Sequence, residues 1–284
     1  MTRRWLWFLP AALLLAAAVL AGGLVWRNLE RAPALDGQAM RANAARVAKA
    51  GAPTQRTPIS EVDAKTYVAA QTQAASLQRQ SGYAALIIPS VDITLPVFGR
   101  MSNATLSAGV ARYFTDRPLG EGNNVFAAHN FHQDKVLLGA INRLKKGAAV
   151  YLSDGRRVFT YHVVDNRVVK QTETAVLAQT QEDRVTLIRC EGPIGTAYRR
   201  VVVARRAATT AAAATRVRRQ VAAPPSQPQR WLRARPWYGA FALLFLGGRV
   251  TGWLWGLLGA FVFLMLLGGV GFVAGPPRRA TTAA

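Results

Sequence analysis

The residue types that could do chemistry in this chain sit at the ends of short apolar runs. Cys190, the only cysteine among 284 residues, closes Val185-Thr186-Leu187-Ile188-Arg189. His129 follows Val125-Phe126-Ala127-Ala128, and Arg199 and Arg200 open Val201-Val202-Val203. A thiol, an imidazole and a guanidinium suit nucleophilic catalysis, as nucleophile, acid/base partner and fixed positive charge for an oxyanion. One cysteine cannot close an internal disulfide, and the three histidines are not spaced with it as zinc ligands. A lone cysteine more often packs as a small hydrophobe; the company of the other two groups is what argues for chemistry. His132 competes with His129 for the same role. His162, between Tyr161 and Val163, reads as structural. Arg199 and Arg200 face opposite ways on a strand, so one of them can point into a cleft; both could instead be a solvated strand end. Glu121 and Asp134 lie near His129 without forming a paired-carboxylate motif.

These groups need a scaffold of strands. The patterning predicts strands over Ala84–Ile88, Ile93–Phe98, Val125–Ala128, Ala149–Leu152, Val158–Val164, Arg167–Lys170, Val185–Cys190 and Arg199–Ala204. Asn103–Ala111 and Val136–Leu144 read as short helices. Ser153-Asp154-Gly155 carries an Asp-Gly hairpin signal, and Thr172–Glu182 is a longer connection. Many short strands with turns between them argue for an all-β, closed barrel with short helices over residues 83–206. Residues 28–82, rich in Ala, Gln and Arg, read as a stalk, with a helix over Ser60–Gln80 capped by Ser60. Residues 207–235, ending in Pro224-Pro225-Ser226-Gln227-Pro228, read as a linker.

The composition adds a compartment. The formal net charge is +22 and 51% of residues are hydrophobic. The charge is spread along the chain, which favours an anionic membrane surface over nucleic acid as its counterpart. Trp5–Trp26 is long enough to span a bilayer and has tryptophan at both ends. It is expected to be an uncleaved anchor within residues 1–27, with Arg3 and Arg4 on the cytoplasmic side. Residues 236–275 are expected to form a second membrane segment, with Val250–Ala274 as its span and residues 276–284 as a cytoplasmic tail; the alternative is that this region lies on the surface or pairs with another protein. Arg230, Arg233, Arg235 and Arg249 make its outer flank more basic than the inner one, against the usual bias.

Four stretches in order resemble the sortases, membrane-anchored cysteine transpeptidases. They are Ile88-Pro89-Ser90-Val91 with Leu95-Pro96-Val97-Phe98, the run Gly122 to His129, Thr186-Leu187-Ile188-Arg189-Cys190, and Arg199 before a valine strand. The resemblance implies that Cys190 is the nucleophile. It makes His129 the acid for the leaving amine and the base for the incoming one, and Arg199 the oxyanion partner. It places Ala104, Ala127, Val176, Leu177, Thr186 and Ile188 in a substrate groove. No cofactor is implied, and no calcium site, because the acidic ligands of some members have no counterpart between Gly109 and Glu121. The implied partners are secreted proteins bearing a C-terminal Leu-Pro-x-Thr-Gly-like signal and an amine acceptor such as lipid II. A pilin polymerase of the same family and a decayed, non-catalytic scaffold are the alternatives. Arg189 departs from the family signature, where Thr is usual, and is expected to perturb the thiol or the substrate contacts.

Overall fold

Aliphatic and β-branched runs broken by Gly, Pro and Asx turns favour pleated, half-buried strands over helices, and that preference dominates the middle of the chain. The computed structural model describes residues 35–49, Ile59 and residues 62–222. The expected transmembrane segments lie outside the described residues. Among those residues no helix is long and apolar enough to cross a membrane.

Among the described residues three helices come first: α1 (Gly37–Lys49), α2 (Ala64–Thr72) and α3 (Ala74–Ser81). Strands β1 (Gly82–Ile88) and β2 (Ile93–Phe98) follow, then helix α4 (Asn103–Ala108), β3 (Val110–Arg112) and β4 (Asn123–Ala127). The chain continues through β5 (Ala149–Ser153), β6 (Val158–Lys170), β7 (Arg184–Glu191) and β8 (Tyr198–Ala207), and the last described element is helix α5 (Ala211–Ala222). The strands close a barrel in the order β1-β2-β3-β4-β7-β8-β6-β5. β4 and β7 run parallel, with Ala127 opposite Ile188. β7 and β8 run antiparallel, with Cys190 opposite Arg199.

β1 is buried at every position and therefore lacks the alternation of a half-exposed strand. Its inner face fills the barrel, while Ala85 and Ile87 pack with Leu35, Met40, Tyr151, Ala213, Val217 and Val221 under helices α1 and α5. The described part of the expected stalk thus lies on the barrel, and so does the helix within the expected linker. Polar composition concealed this, because the buried polar groups are paired. Asn43 Nδ2 donates to the carbonyls of Gln78 (3.0 Å), Arg79 (3.1 Å) and Gly82 (3.0 Å), and Gln71 Nε2 donates to Ser107 O at 3.1 Å. The helix expected over Ser60–Gln80 is two helices meeting at Gln73. The cap of the first is Asp63, whose carboxylate accepts from Thr66 N.

Other boundaries moved for local reasons. Helix α4 is fixed at its start by a reciprocal Ser102–Thr105 capping box. It stops at Ala108 because the chain turns at Gly109 to pair β3 with β2. A Cβ on Gly109 would stand 2.4 Å from the Pro96 carbonyl oxygen. Val136–Leu144 is a 3-10 turn over Gly139–Arg143 with flanking turns. The two strands expected over 158–170 are one, with a register shift between Val163 and Asp165.

Candidate active site

Three neighbouring strands carry the three groups. β4 delivers His129 just past its end, β7 delivers Cys190 near its end, and β8 delivers Arg199 near its start. Two residues beyond the Ala127–Ile188 pair, the parallel register of β4 and β7 brings His129 level with Cys190. The antiparallel register of β7 and β8 sets Arg199 directly across from Cys190. Adjacent strands lie about 4.8 Å apart and same-parity residues share a face. Thiol, imidazole and guanidinium therefore form a row over one face of the barrel. All three line a single cleft of about 1370 Å³.

His129 is 9% exposed. Its amide donates to Leu106 O at 3.1 Å, and its Nε2 lies 3.3 Å from Asn103 Oδ1 at the start of α4. Phe131 stands edge-on to the ring and is itself packed against Tyr67 of α2. Burial without a charged partner pushes the imidazole down to about 4, so it rests neutral at pH 7 and can accept a proton. His132 also lines the cleft, but it is exposed and holds a turn. Its φ is +55° and its amide donates to Asn130 Oδ1 at 3.1 Å. His162 is exposed, with Nδ1 3.0 Å from Gly147 O, and is not among the cleft residues.

Arg199 is held by its surroundings. Nη1 donates to Thr196 O (2.7 Å) and Tyr198 O (2.9 Å), and Nη2 donates to Gln171 Oε1 at 2.8 Å. Arg200 points the other way. It joins Glu191 at 3.1 Å, and Glu191 also binds Arg189 at 2.9 Å. Arg189 is 6% exposed. Its Nε donates to Leu138 O (3.1 Å), Nη2 to Gly139 O (3.2 Å) and Nη1 to Cys190 O (2.8 Å). Arg189 is among the residues lining the cleft, and its guanidinium is held there by backbone carbonyls and Glu191. Strand alternation turns its guanidinium away from the sulfur, where it ties β7 to the 138–139 turn.

The expected groove residues divide. Ala127 and Ile188 line the cleft from β4 and β7, and Val176 and Leu177 line it from the β6–β7 connection. Thr186 does not reach it. It is fully buried, and its hydroxyl donates to Asn123 Oδ1 at 2.7 Å. Ala104 sits on half-buried α4 outside the cleft lining, where Leu106 of the same helix takes the wall instead.

Asn103, Asn123, Asn130 and Gln171 were not singled out from sequence, although they orient the site. Asn130 Nδ2 donates to the Cys190 carbonyl at 3.0 Å. Asn123 Nδ2 donates to Val176 O (3.1 Å) and Ala178 O (2.8 Å), and its amide donates to Gln179 Oε1 at 2.8 Å. The signals they left were an Asx turn and a helix start, which carry no chemistry of their own. Among the described residues no group of three or more His, Cys, Asp or Glu is placed to hold a metal ion.

Comparison with known proteins bears on this geometry. The family model described as Sortase domain matches residues 86–207. Sortase A of Listeria monocytogenes is 33% identical over 126 residues, 44% of this chain and 57% of that one. A Bacillus subtilis protein named putative sortase YwpE is 30% identical over 87 residues, 31% of this chain and 85% of that one. The crystal structure of Listeria monocytogenes sortase A aligns at TM-score 0.45 and 32% identity, covering 47% of this chain and 94% of that one. Sortase C-1 from Actinomyces oris aligns at TM-score 0.43 and 27% identity, covering 61% and 98%. The chain spans 57%, 58% and 57% of the sortase A relatives from Listeria monocytogenes, Bacillus anthracis and Streptococcus agalactiae.

Proposed function

The chain belongs to the sortase family, and we propose that it is a membrane-bound cysteine transpeptidase. It would cleave a Leu-Pro-x-Thr-Gly-like sorting signal and join the upstream protein to an amine. The observation that carries this reading is the Cys190–Arg199 cross-strand pair, with His129 on the next strand, above the apolar floor of Ala127 and Ile188.

The steps follow from the side chains. The signal lies along the floor with Val176 and Leu177 as one wall. Neutral His129 takes the Cys190 proton, and the thiolate attacks the Thr carbonyl carbon. The oxyanion develops beside Arg199, where a fixed positive charge stabilises the transition state more than the substrate. The carbon–nitrogen bond breaks as the His129 imidazolium gives its proton to the leaving Gly amine, which leaves a thioester on Cys190. An incoming amine loses a proton to His129, attacks the thioester and frees the thiol. A thiol with no second cysteine to resolve it suits acyl transfer better than disulfide exchange.

A cell-wall precursor such as lipid II is the proposed acceptor, reached at the outer face of a membrane crossed by Trp5–Trp26 and Val250–Ala274. The experiment is a panel of amines offered to the full chain in detergent with a fluorogenic Leu-Pro-x-Thr-Gly peptide. The proposal expects cleavage that Cys190→Ala abolishes and a glycine-type amine incorporated into product. Preference for a pilin lysine peptide would replace the acceptor. Cleavage that survives Cys190→Ala would overturn the mechanism.

A further inference from the structure

The wall of the barrel opposite the cleft carries a concentration of exposed arginines. In the closed strand order, the β5–β1 seam lies diametrically across from the β4–β7 seam that bears His129 and Cys190. Helices α1 and α5 cover the β5–β1 seam. Helix α5 buries Ala213, Val217 and Val221 and leaves Arg216, Arg218 and Arg219 exposed, while α1 leaves Arg41 and Arg46 exposed. The β5–β6 turn adds exposed Arg156, whose carbonyl accepts from Arg218 Nε at 3.3 Å. None of these six arginines has an ion-pair partner among the described residues. The acidic groups nearby are committed elsewhere. Asp154 is paired with Arg157 at 2.9 Å, and Asp36 accepts from the Ala39 amide at 2.9 Å.

The two ends of the described domain meet on this same wall. A Cβ on Gly37, at the start of α1, would stand 2.9 Å from the carbonyl oxygen of Val221, at the end of α5. The apolar stretch Trp5–Trp26 precedes that corner in the sequence. Arg230, Arg233, Arg235 and the apolar stretch Val250–Ala274 follow it. A bilayer entered by Trp5–Trp26 would lie within reach of this corner, because only residues 27–36 separate Trp26 from Gly37.

We infer that the α1/α5 wall docks on the headgroups of an anionic lipid bilayer, so that the catalytic cleft opens on the side facing away from the membrane. The inference rests on the membrane-bound reading above. The outer faces of α1 and α5 offer arginine, glutamine, alanine and threonine and, among the side chains described, no large apolar one, so adhesion is electrostatic and not insertion. It therefore fades with salt, since screening shortens to about 3 Å at 1 M. With the cleft facing away from the membrane, the acceptor amine must be carried on a headgroup long enough to reach around the barrel.

The test uses the full chain in lipid nanodiscs of phosphatidylcholine alone or mixed with phosphatidylglycerol, read by amide hydrogen exchange over residues 37–49 and 211–222. Slower exchange of both helices in the anionic discs, reversed by 1 M salt, is expected. Each arginine near an anionic surface contributes about a fivefold preference. Joint Arg216→Glu, Arg218→Glu and Arg219→Glu should therefore weaken docking about a hundredfold and erase the protection while peptide cleavage continues. Equal exchange in both lipids, or protection at the cleft instead, overturns the docking and leaves anchoring intact. Failure of the full chain to float with vesicles of either lipid overturns docking and anchoring together. Protection by a soluble glycerol-phosphate polymer, with none in anionic discs, would assign the wall to a soluble polyanion and also overturns the proposal.

Discussion

His129 shows how a single residue's environment sets its chemistry. Buried against Leu106, Asn103 and Phe131, it is held down to about 4, below the ordinary histidine value near 6.5. Between those two pH values the unfolded chain takes up a proton that the folded chain refuses. Stability therefore falls as pH falls through that window, by on the order of 2–3 kcal/mol at pH 4. Thermal unfolding at pH 7 and pH 4.5 should show a smaller acid-induced drop in His129→Gln than in the parent; equal drops would mean that the imidazole is not buried neutral. Arg189 makes the opposite point. Its position beside Cys190 in the sequence suggested an effect on the thiol, yet side chains alternate along a strand, and its guanidinium ends among the Leu138, Gly139 and Cys190 carbonyls and Glu191. Arg189→Thr should lower stability by about 3 kcal/mol, the low end for breaking a buried pair, since Glu191 keeps Arg200. Turnover by the folded variant should stay within a few fold. The row Cys190, His129 and Arg199 was legible because each group lies at one end of a recognisable apolar run. Thr186 was misread because a hydroxyl two strand positions below a candidate floor residue gives no sign of whether it faces substrate or Asn123.

At the scale of elements, the groove wall is positioned from below. The β6–β7 connection contributes Val176 and Leu177, but its only regular structure is a 3-10 turn over Thr174–Leu177. What fixes it is a buried chain of hydrogen bonds from Thr186 to Asn123 and on to Val176 O and Ala178 O. Asn123→Ala leaves these groups unpaired, which costs about 1–3 kcal/mol. It should raise KM for a sorting peptide severalfold while changing kcat less, because the wall moves and the reacting groups stay. Steady-state kinetics decide this, and a pure kcat loss would argue against it. The strands were readable from their β-branched runs. Helices α1 and α5 were not, because they bury small or polar residues such as Asn43 and Ala213, which read from sequence as solvated stalk and linker. Their burial depends on partners far along the chain, which local pattern does not contain.

At the scale of the whole molecule, the helices at both ends of the described residues, α1 and α5, pack onto the barrel. A fragment cut to the strands alone would strip Leu35, Met40, Val217 and Val221 from Ala85, Ile87 and Tyr151 and expose that seam. Activity is therefore best read on the full chain, and the central claim is that its cleft forms a covalent acyl-enzyme at Cys190. The most direct measurement is intact-mass spectrometry of the full chain incubated with a Leu-Pro-x-Thr-Gly peptide and no amine. An adduct equal to the peptide's acyl portion through Thr is expected, mapped to Cys190, discharged by added amine and absent in Cys190→Ala. An unmodified Cys190 across varied sorting peptides, in protein shown to be folded, would contradict it.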